Sequence, residues 1–253
     1  MRPRSTTARR FGRPCRQRER PAWGLVRRAN GSMCRPHARR AVTRAAFASR
    51  SRRGGRVNAY APHDLLRVDP GILAADAPDW ARSSLERAPW VVVRRACEGS
   101  TIPVGIRGAA RGERYAARML VSQIRCSLTP YVLQARVAAT ARPIDRAGLL
   151  LRAAATRAGL QLGFVGSYGF ELASGARTTH DDSDLDAIVA AAPRVRMVAF
   201  AQTCELIATV TGVRLDIEVL LSSGGAALHE VAGSNPTILV KTQAGPVLLP
   251  CPA

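Results

Sequence analysis

The chain has 253 residues, 47% of them apolar, which is enough for one large or two modest domains with a sizeable core. Its formal charge of +20 is unevenly placed: residues 1–56 carry 18 arginines against Glu19 alone, whereas 57–253 carry 20 basic and 17 acidic residues, a balance of +3. No apolar run approaches the roughly 20 residues of a membrane span, and the six scattered cysteines form neither metal clips nor a disulfide scaffold.

The cysteine usage is that of a cytoplasmic protein with reduced thiols. No apolar stretch follows the charged N-terminus, which argues against a secretory signal. Residues 1–56 are rich in Arg, Ser, Ala, Gly and Pro without a sustained period, and read as a disordered extension. Three origins compete for it. It can be an upstream stretch translated from a mis-assigned start, which we favour, a nucleic-acid-binding arm, or an Arg-rich transit peptide. The arm reading lacks interleaved aromatics, since only Phe11, Trp23 and Phe47 occur there. A basic extension without stacking platforms argues against nucleic acid as the partner. Lys241 is the sole lysine of the chain, so the arginines reflect coding bias as much as selection.

Pattern begins near Tyr60. "PHDLLRV" is a short apolar element, and "PDWARSSLERA", 78–88, reads as a helix opened by Pro78 and Asp79, with Trp80, Leu85 and Ala88 on one face. "PWVVVRRA" is a compact β-branched run that predicts a buried strand, and "TIPVGIRG" predicts a second strand ended by Gly108. "ERYAARMLVSQI" fits helix or strand equally. In "SLTPYVLQARV", Pro130 predicts an edge or a break. These elements make a small α+β domain over 57–140.

A second unit, 141–253, starts at "RPIDRAGLLLRAAATRAG". Pro143 and Asp145 open a helix, Ile144, Leu151 and Ala155 form its apolar stripe with Leu150 and Ala154 beside them, and Gly159 stops it. "LQLGFVG" predicts a strand ending at Gly166-Ser167, and "SDLDAIVAA" the next strand. "RMVAFAQTCELIATVTG" predicts a helix stopped by Gly212. In "VRLDIEVLL", Val213, Leu215, Ile217 and Val219 alternate with Arg214, Asp216 and Glu218, so a strand with one apolar face is expected. "TILVKT" and "PVLLP" suit a last hairpin around "QAG".

The chemistry concentrates in "GFVGSYGFELASGARTTHDDSDLDAIV". Side chains two apart on a strand point the same way, so Asp184 and Asp186 share a face. Asp216, on a later strand, also faces away from that strand's apolar side. If the two strands are neighbours, three carboxylates converge, and these repel one another unless a cation joins them. A hard divalent ion, Mg²⁺ or Mn²⁺, is the natural partner for all-oxygen ligands, and two such ions can hold the attacking and leaving oxygens of a phosphoryl displacement. Gly166 permits a tight turn. The Ser167 hydroxyl and nearby backbone N–H groups can then grip a phosphate at the start of a following helix.

Alone, "DDSDLD" also reads as a solvated acidic turn; the upstream Gly-Ser and downstream "RLDIE" weigh against that. Asp181 and Asp182 read as loop charges. Glu218 shares a face with Asp216 and is the alternative third ligand. Ser167 as a covalent nucleophile is disfavoured, since no G-x-S-x-G elbow surrounds it.

The order apolar-Gly-Ser, Asp-x-Asp and a strand-borne Asp resembles the polymerase-β-like nucleotidyltransferase superfamily. Over about 57–245 the chain further resembles one family within it, malonate decarboxylase holo-[acyl-carrier protein] synthase, also called phosphoribosyl-dephospho-CoA transferase. "APHDLLRV", "APWVVVRRA", "IPVGIRG", "RGERYAA", "GSYGFELASG", "HDDSDLD", "RLDIEVLL" and "ILVKT" occur in that family's order. The resemblance implies an α+β fold: a polymerase-β-like domain with a mixed sheet, preceded by a small α+β domain and here by the basic extension.

It implies transfer of the phosphoribosyl-dephospho-CoA group from 2′-(5″-triphosphoribosyl)-3′-dephospho-CoA to a serine of the malonate decarboxylase acyl-carrier protein, with release of pyrophosphate. Asp184, Asp186 and Asp216 would bind the metal ions, with Asp216 also helping to deprotonate the serine. Gly166 and Ser167 would hold the triphosphate. Arg107, Arg111, Arg114 and Lys241 are candidates for gripping phosphates of the donor, and exposed surface charge is the competing reading of each. His63 and His229 read as structural histidines. Residues 1–56 have no counterpart in the family, and a short helical tail is expected after "PVLLP". The competing functions are an ATP-using nucleotidyltransferase with the same metal site, and a non-catalytic nucleic-acid-binding protein acting through the basic arm.

Overall fold

The computed structural model describes residues 60–96, 100–110 and 112–252, so the Arg-rich stretch 1–56 and Arg111 lie outside the described residues. The first half builds β1 (Leu65–Val68), helix α1 (Asp79–Arg87), β2 (Trp90–Val93), β3 (Ile102–Arg107), β4 (Arg114–Met119) and β5 (Ile124–Leu128). The five strands form one antiparallel sheet in the order β4-β3-β2-β1-β5. "ERYAARM", which fits helix or strand by pattern, is therefore the edge strand β4, zipped to β3 from Ile102 opposite Met119 to Arg107 opposite Arg114.

One face of this sheet is apolar. Val91, Val93, Val104 and Ile106 are buried with Ala81 and Leu85 of α1, and Trp80 packs against them. "WVVV" is a buried strand, as its run of valines predicts, with Val91 and Val93 in the core on the α1 face and Trp90 and Val92 half-buried on the other. Pro130 marks a break, as the sequence suggests, by opening the short helix α2 (Pro130–Leu133) at its first turn.

The second half comprises α3 (Pro143–Arg157), β6 (Leu162–Phe164), α4 (Gly166–Ser174), β7 (Leu185–Ala190), α5 (Arg194–Thr211), β8 (Leu215–Leu221), β9 (Gly224–Ala227), α6 (Leu228–Ala232), β10 (Thr237–Lys241) and β11 (Pro246–Pro250). Its six strands run β11-β10-β9-β8-β7-β6. All neighbours are antiparallel except β7 and β8, so the sheet is mixed. Parallel strands need a long crossover, and α5 supplies it. The fold is thus α+β.

α3 and α5 cover one face of this sheet, burying Ala147, Leu151 and Ala155 with Phe200, Cys204 and Ile207. Leu150, placed beside that stripe by periodicity, is instead 37% exposed. Gly159 and Gly212 stop the two helices in the left-handed region, at φ +64° and +70°, where a Cβ would be strained. β9 and α6 interrupt the expected passage from β8 to the last hairpin. Leu65, Ala88, Leu133, Phe170 and Ala173 form a third apolar cluster, which ties the first sheet to α2 and α4. No helix among the described residues is long and apolar enough to cross a membrane. The described cysteines Cys126, Cys204 and Cys251 are unpaired.

Candidate active site

The face of the mixed sheet away from α3 and α5 looks into a cleft of about 600 Å³, whose other wall is the polar face of the antiparallel sheet. Arg107, Gly166, Asp186, Asp216 and Lys241, all singled out from the sequence, line it. So do Arg94, Arg95, Tyr115 and Glu218.

Asp186 lies at the second position of β7, directly across from Asp216 on the parallel neighbour β8. The Asp216 side belongs to an exposed residue and Asp186 is only part-exposed. Burial, then the charges of Asp216 and Asp184, push the Asp186 carboxyl up to about 6; Arg107 and the hydrogen bond from the Ser167 N–H work in the opposite direction. Asp184, one residue before β7, pairs with Arg214, one residue before β8. Among the described residues no group of three or more His, Cys, Asp or Glu side chains is arranged to hold a metal ion. The pair in register is Asp186 and Asp216, with Asp184 drawn to Arg214.

The Gly-Ser turn is built against Asp186. Gly166 adopts φ +60°, and a Cβ there would overlap the Asp186 carboxylate. Gly166 and Ser167 form the first turn of α4, and the Ser167 N–H donates to the Asp186 carboxylate, which ties the turn to that carboxylate. Tyr168 follows, fully buried, and its hydroxyl donates to Asp145 Oδ1 at 2.8 Å. Its ring meets Phe164 edge-on at 5.4 Å, a contact worth roughly 0.5–1.5 kcal/mol.

Glu171, one turn further along α4, clamps the loop that leads to Asp184. It accepts hydrogen bonds from the Thr178 and Thr179 N–H groups at 3.1 and 3.0 Å, from the Thr179 hydroxyl at 2.6 Å and from Arg142. Burial works upward on its carboxyl, but these bonds outweigh it and bring it down to about 2. Asp181 and Asp182 are exposed, as is His180, in keeping with loop residues.

Glu218, the alternative third carboxylate, is committed elsewhere. It is paired with Arg95 from the end of β2, lies 3.5 Å from Lys241 Nζ, and 3.6 Å from His63 Nε2. Burial raises its carboxyl, and His63, Arg95 and Lys241 together lower it below the usual range. His63 sits at φ +74° with its N–H bonded to the Val93 carbonyl at 2.9 Å. It therefore lines the cleft, beyond the purely structural place its sequence suggests. His229 lines a different hollow, beside α5. Arg94, Arg95 and Tyr115 were not legible as site residues. The one available signal was Gly105 inside a strand, which marks close approach of a backbone or ligand.

Two family models divide the described chain. The phosphoribosyl-dephospho-CoA transferase MdcG N-terminal domain matches residues 61–130, and the MdcG C-terminal domain matches 132–252. A phosphoribosyl-dephospho-CoA transferase of Pseudomonas aeruginosa is 37% identical over 201 residues, covering 76% of this chain and 92% of that protein. One of Pseudomonas fluorescens is 38% identical, covering 73% and 90%. One of Azotobacter vinelandii is 33% identical over the same shares. No solved structure matches the chain. The cleft with its paired aspartates thus sits in an enzyme, a transferase, and the chain belongs to the phosphoribosyl-dephospho-CoA transferase family.

Proposed function

We propose that the chain transfers the phosphoribosyl-dephospho-CoA group of 2′-(5″-triphosphoribosyl)-3′-dephospho-CoA to a serine of the malonate decarboxylase acyl-carrier protein. The observation that carries this is the Asp186–Asp216 pair, set in register on parallel strands and backed by Gly166-Ser167 at a helix start. This arrangement, in a mixed sheet, supports a polymerase-β-like nucleotidyltransferase domain over 141–253, with 57–140 as a small N-terminal domain and the whole protein acting in the cytoplasm.

The donor set fits a hard divalent cation. It is all oxygen, and its central carboxyl is raised to about 6 partly by its acidic neighbours, a repulsion that a cation relieves. Asp186 and Asp216 would hold Mg²⁺ or Mn²⁺, joined by Asp184 only once it leaves Arg214, and the ion when bound would stabilise charge on the transferring phosphoryl group. Gly166 and the Ser167 hydroxyl, at the start of α4, would hold the triphosphate, and Arg107 and Lys241 add positive charge. The serine oxygen attacks the phosphorus nearest the ribosyl group, the bond to the next phosphate breaks, pyrophosphate leaves, and Asp216 takes the serine proton. The product is a phosphodiester on the carrier.

The test is incubation with the donor, the carrier protein and Mg²⁺, read by intact-mass spectrometry of the carrier. The expected result is one phosphoribosyl-dephospho-CoA added per carrier. An unmodified carrier, with ATP labelling some other acceptor instead, would favour an ATP-using nucleotidyltransferase.

A further inference from the structure

The donor of this reading carries two separated anionic groups: the triphosphate that is cleaved, and the diphosphate that joins adenosine to pantetheine in its dephospho-CoA part. The carboxylates and Gly166-Ser167 account for the first. The opposite wall of the cleft is built for a second anion.

On that wall β3 and β4 pair Arg107 with Arg114 and, two residues along on the same face, Gly105 with Ala116. Like charges placed directly opposite on a sheet destabilise it, so an arginine pair there calls for an anion. Arg107 is turned to account by Asp186, whose carboxyl its charge lowers. Among the described residues Arg114 and Arg94 have no carboxylate partner, and the Arg114 guanidinium donates only to the neighbouring Glu113 carbonyl, at 3.3 Å. Arg94 flanks the same floor: a Cβ on Gly105 would lie 3.3 Å from its Cδ. The missing side chain of Gly105 lets the Arg94 stem lie across β3, and the small Ala116 beside it leaves room for a ligand next to both guanidinium groups. All four residues line the cleft.

Resting on the transferase reading, we propose that Arg94 and Arg114, over the Gly105–Ala116 floor, form a subsite for the diphosphate of the dephospho-CoA moiety. Two guanidinium groups beside a diphosphate supply charge-assisted hydrogen bonds of the strong class. The subsite is independent of metal, because it contains no carboxylate. It would grip the part of the donor that stays attached to the product, leaving the triphosphate to the opposite wall.

The experiment is calorimetric binding of dephospho-CoA to the full chain in EDTA, with adenosine as the probe that lacks the diphosphate. Wild-type protein is expected to bind dephospho-CoA more tightly than adenosine. The double variant Arg94→Gln/Arg114→Gln should weaken dephospho-CoA about tenfold or more and leave adenosine unchanged. Ala116→Val, which raises the floor at an exposed edge-strand position and keeps the fold, should weaken it as well. Inorganic triphosphate with Mg²⁺ should bind all variants equally.

The assignment is overturned if dephospho-CoA binds the double variant as it binds wild type. It is equally overturned if triphosphate binding falls in parallel, or if a wild-type protein active in transfer binds dephospho-CoA no better than adenosine. Failure of transfer from the complete donor, with arginine-dependent dephospho-CoA binding intact, would count against the transferase reading and not against the subsite.

Discussion

Asp186 on β7 and Asp216 on β8 stand in register on the only parallel strand pair among the described strands. They lie 30 positions apart in the chain, yet the hydrogen-bond ladder fixes them as lateral neighbours about 5 Å apart. Their mutual repulsion is part of what holds the Asp186 carboxyl near 6.

That repulsion predicts a trade between stability and activity. With a folded-state value of about 6 against an ordinary 3.8, metal-free protein loses stability as pH rises from about 4 through 6, because the unfolded chain ionises first. A displacement of that size corresponds to at most about 3 kcal/mol. Asp186→Asn removes the charge and can still accept from Ser167. It should therefore stabilise the metal-free protein by about 1–3 kcal/mol at pH 8 and by little at pH 4, in urea melts, while reducing transfer at least a thousandfold.

Gly166→Ala tests the turn. The added methyl overlaps the Asp186 carboxylate, and the left-handed backbone costs an alanine roughly 1–2 kcal/mol. Turnover should fall by about a hundredfold or more with the protein still folded by circular dichroism. Wild-type turnover would mean that the carboxylate and the turn do not act together.

Much of this site was legible because its parts are local. The alternation of Leu215 to Val219 puts Asp216 on the polar face, and the polar position of Asp186 follows from the strand that Leu185 opens. What periodicity cannot see is the partner that arrives from far along the chain. Arg95 meets Glu218 across 123 residues, which removes Glu218 from the carboxylate pair, and Arg214 draws Asp184 aside. β9 was hidden because "GGAA" carries no strand-forming side chains, only room for Glu218 and Arg95 against Gly225. The buried character of β2 is legible in its valines, but the unequal cover of its two faces is not, since Val91 and Val92 look alike.

Glu171 should be a stability residue with a defined pH signature. Its folded value of about 2 lies below the ordinary 4.5, so its contribution is present above about pH 4.5 and is lost as pH falls through 2. Glu171→Gln should cost about 1–3 kcal/mol at pH 7, and the difference from wild type should shrink below pH 4. Equal denaturation midpoints at pH 7 would contradict the clamp on Thr178 and Thr179.

Glu218→Ala leaves Arg95, His63 and Lys241 crowded without their shared carboxylate. The expected result is a loss of about 1–3 kcal/mol in stability, relieved by added phosphate or sulfate that can stand in for the lost charge. Lys241→Gln should leave the fold intact and raise KM for the donor about tenfold, by steady-state kinetics.

On the proposed reading, the Asp186–Asp216 pair drives transfer to the carrier. The most direct measurement is pyrophosphate release against carrier mass gain, for wild type, Asp186→Asn and Asp216→Asn, with donor and Mg²⁺ present. The account predicts one pyrophosphate per modified carrier for wild type and neither product for the two variants. Undiminished pyrophosphate release and carrier modification by both variants would contradict it.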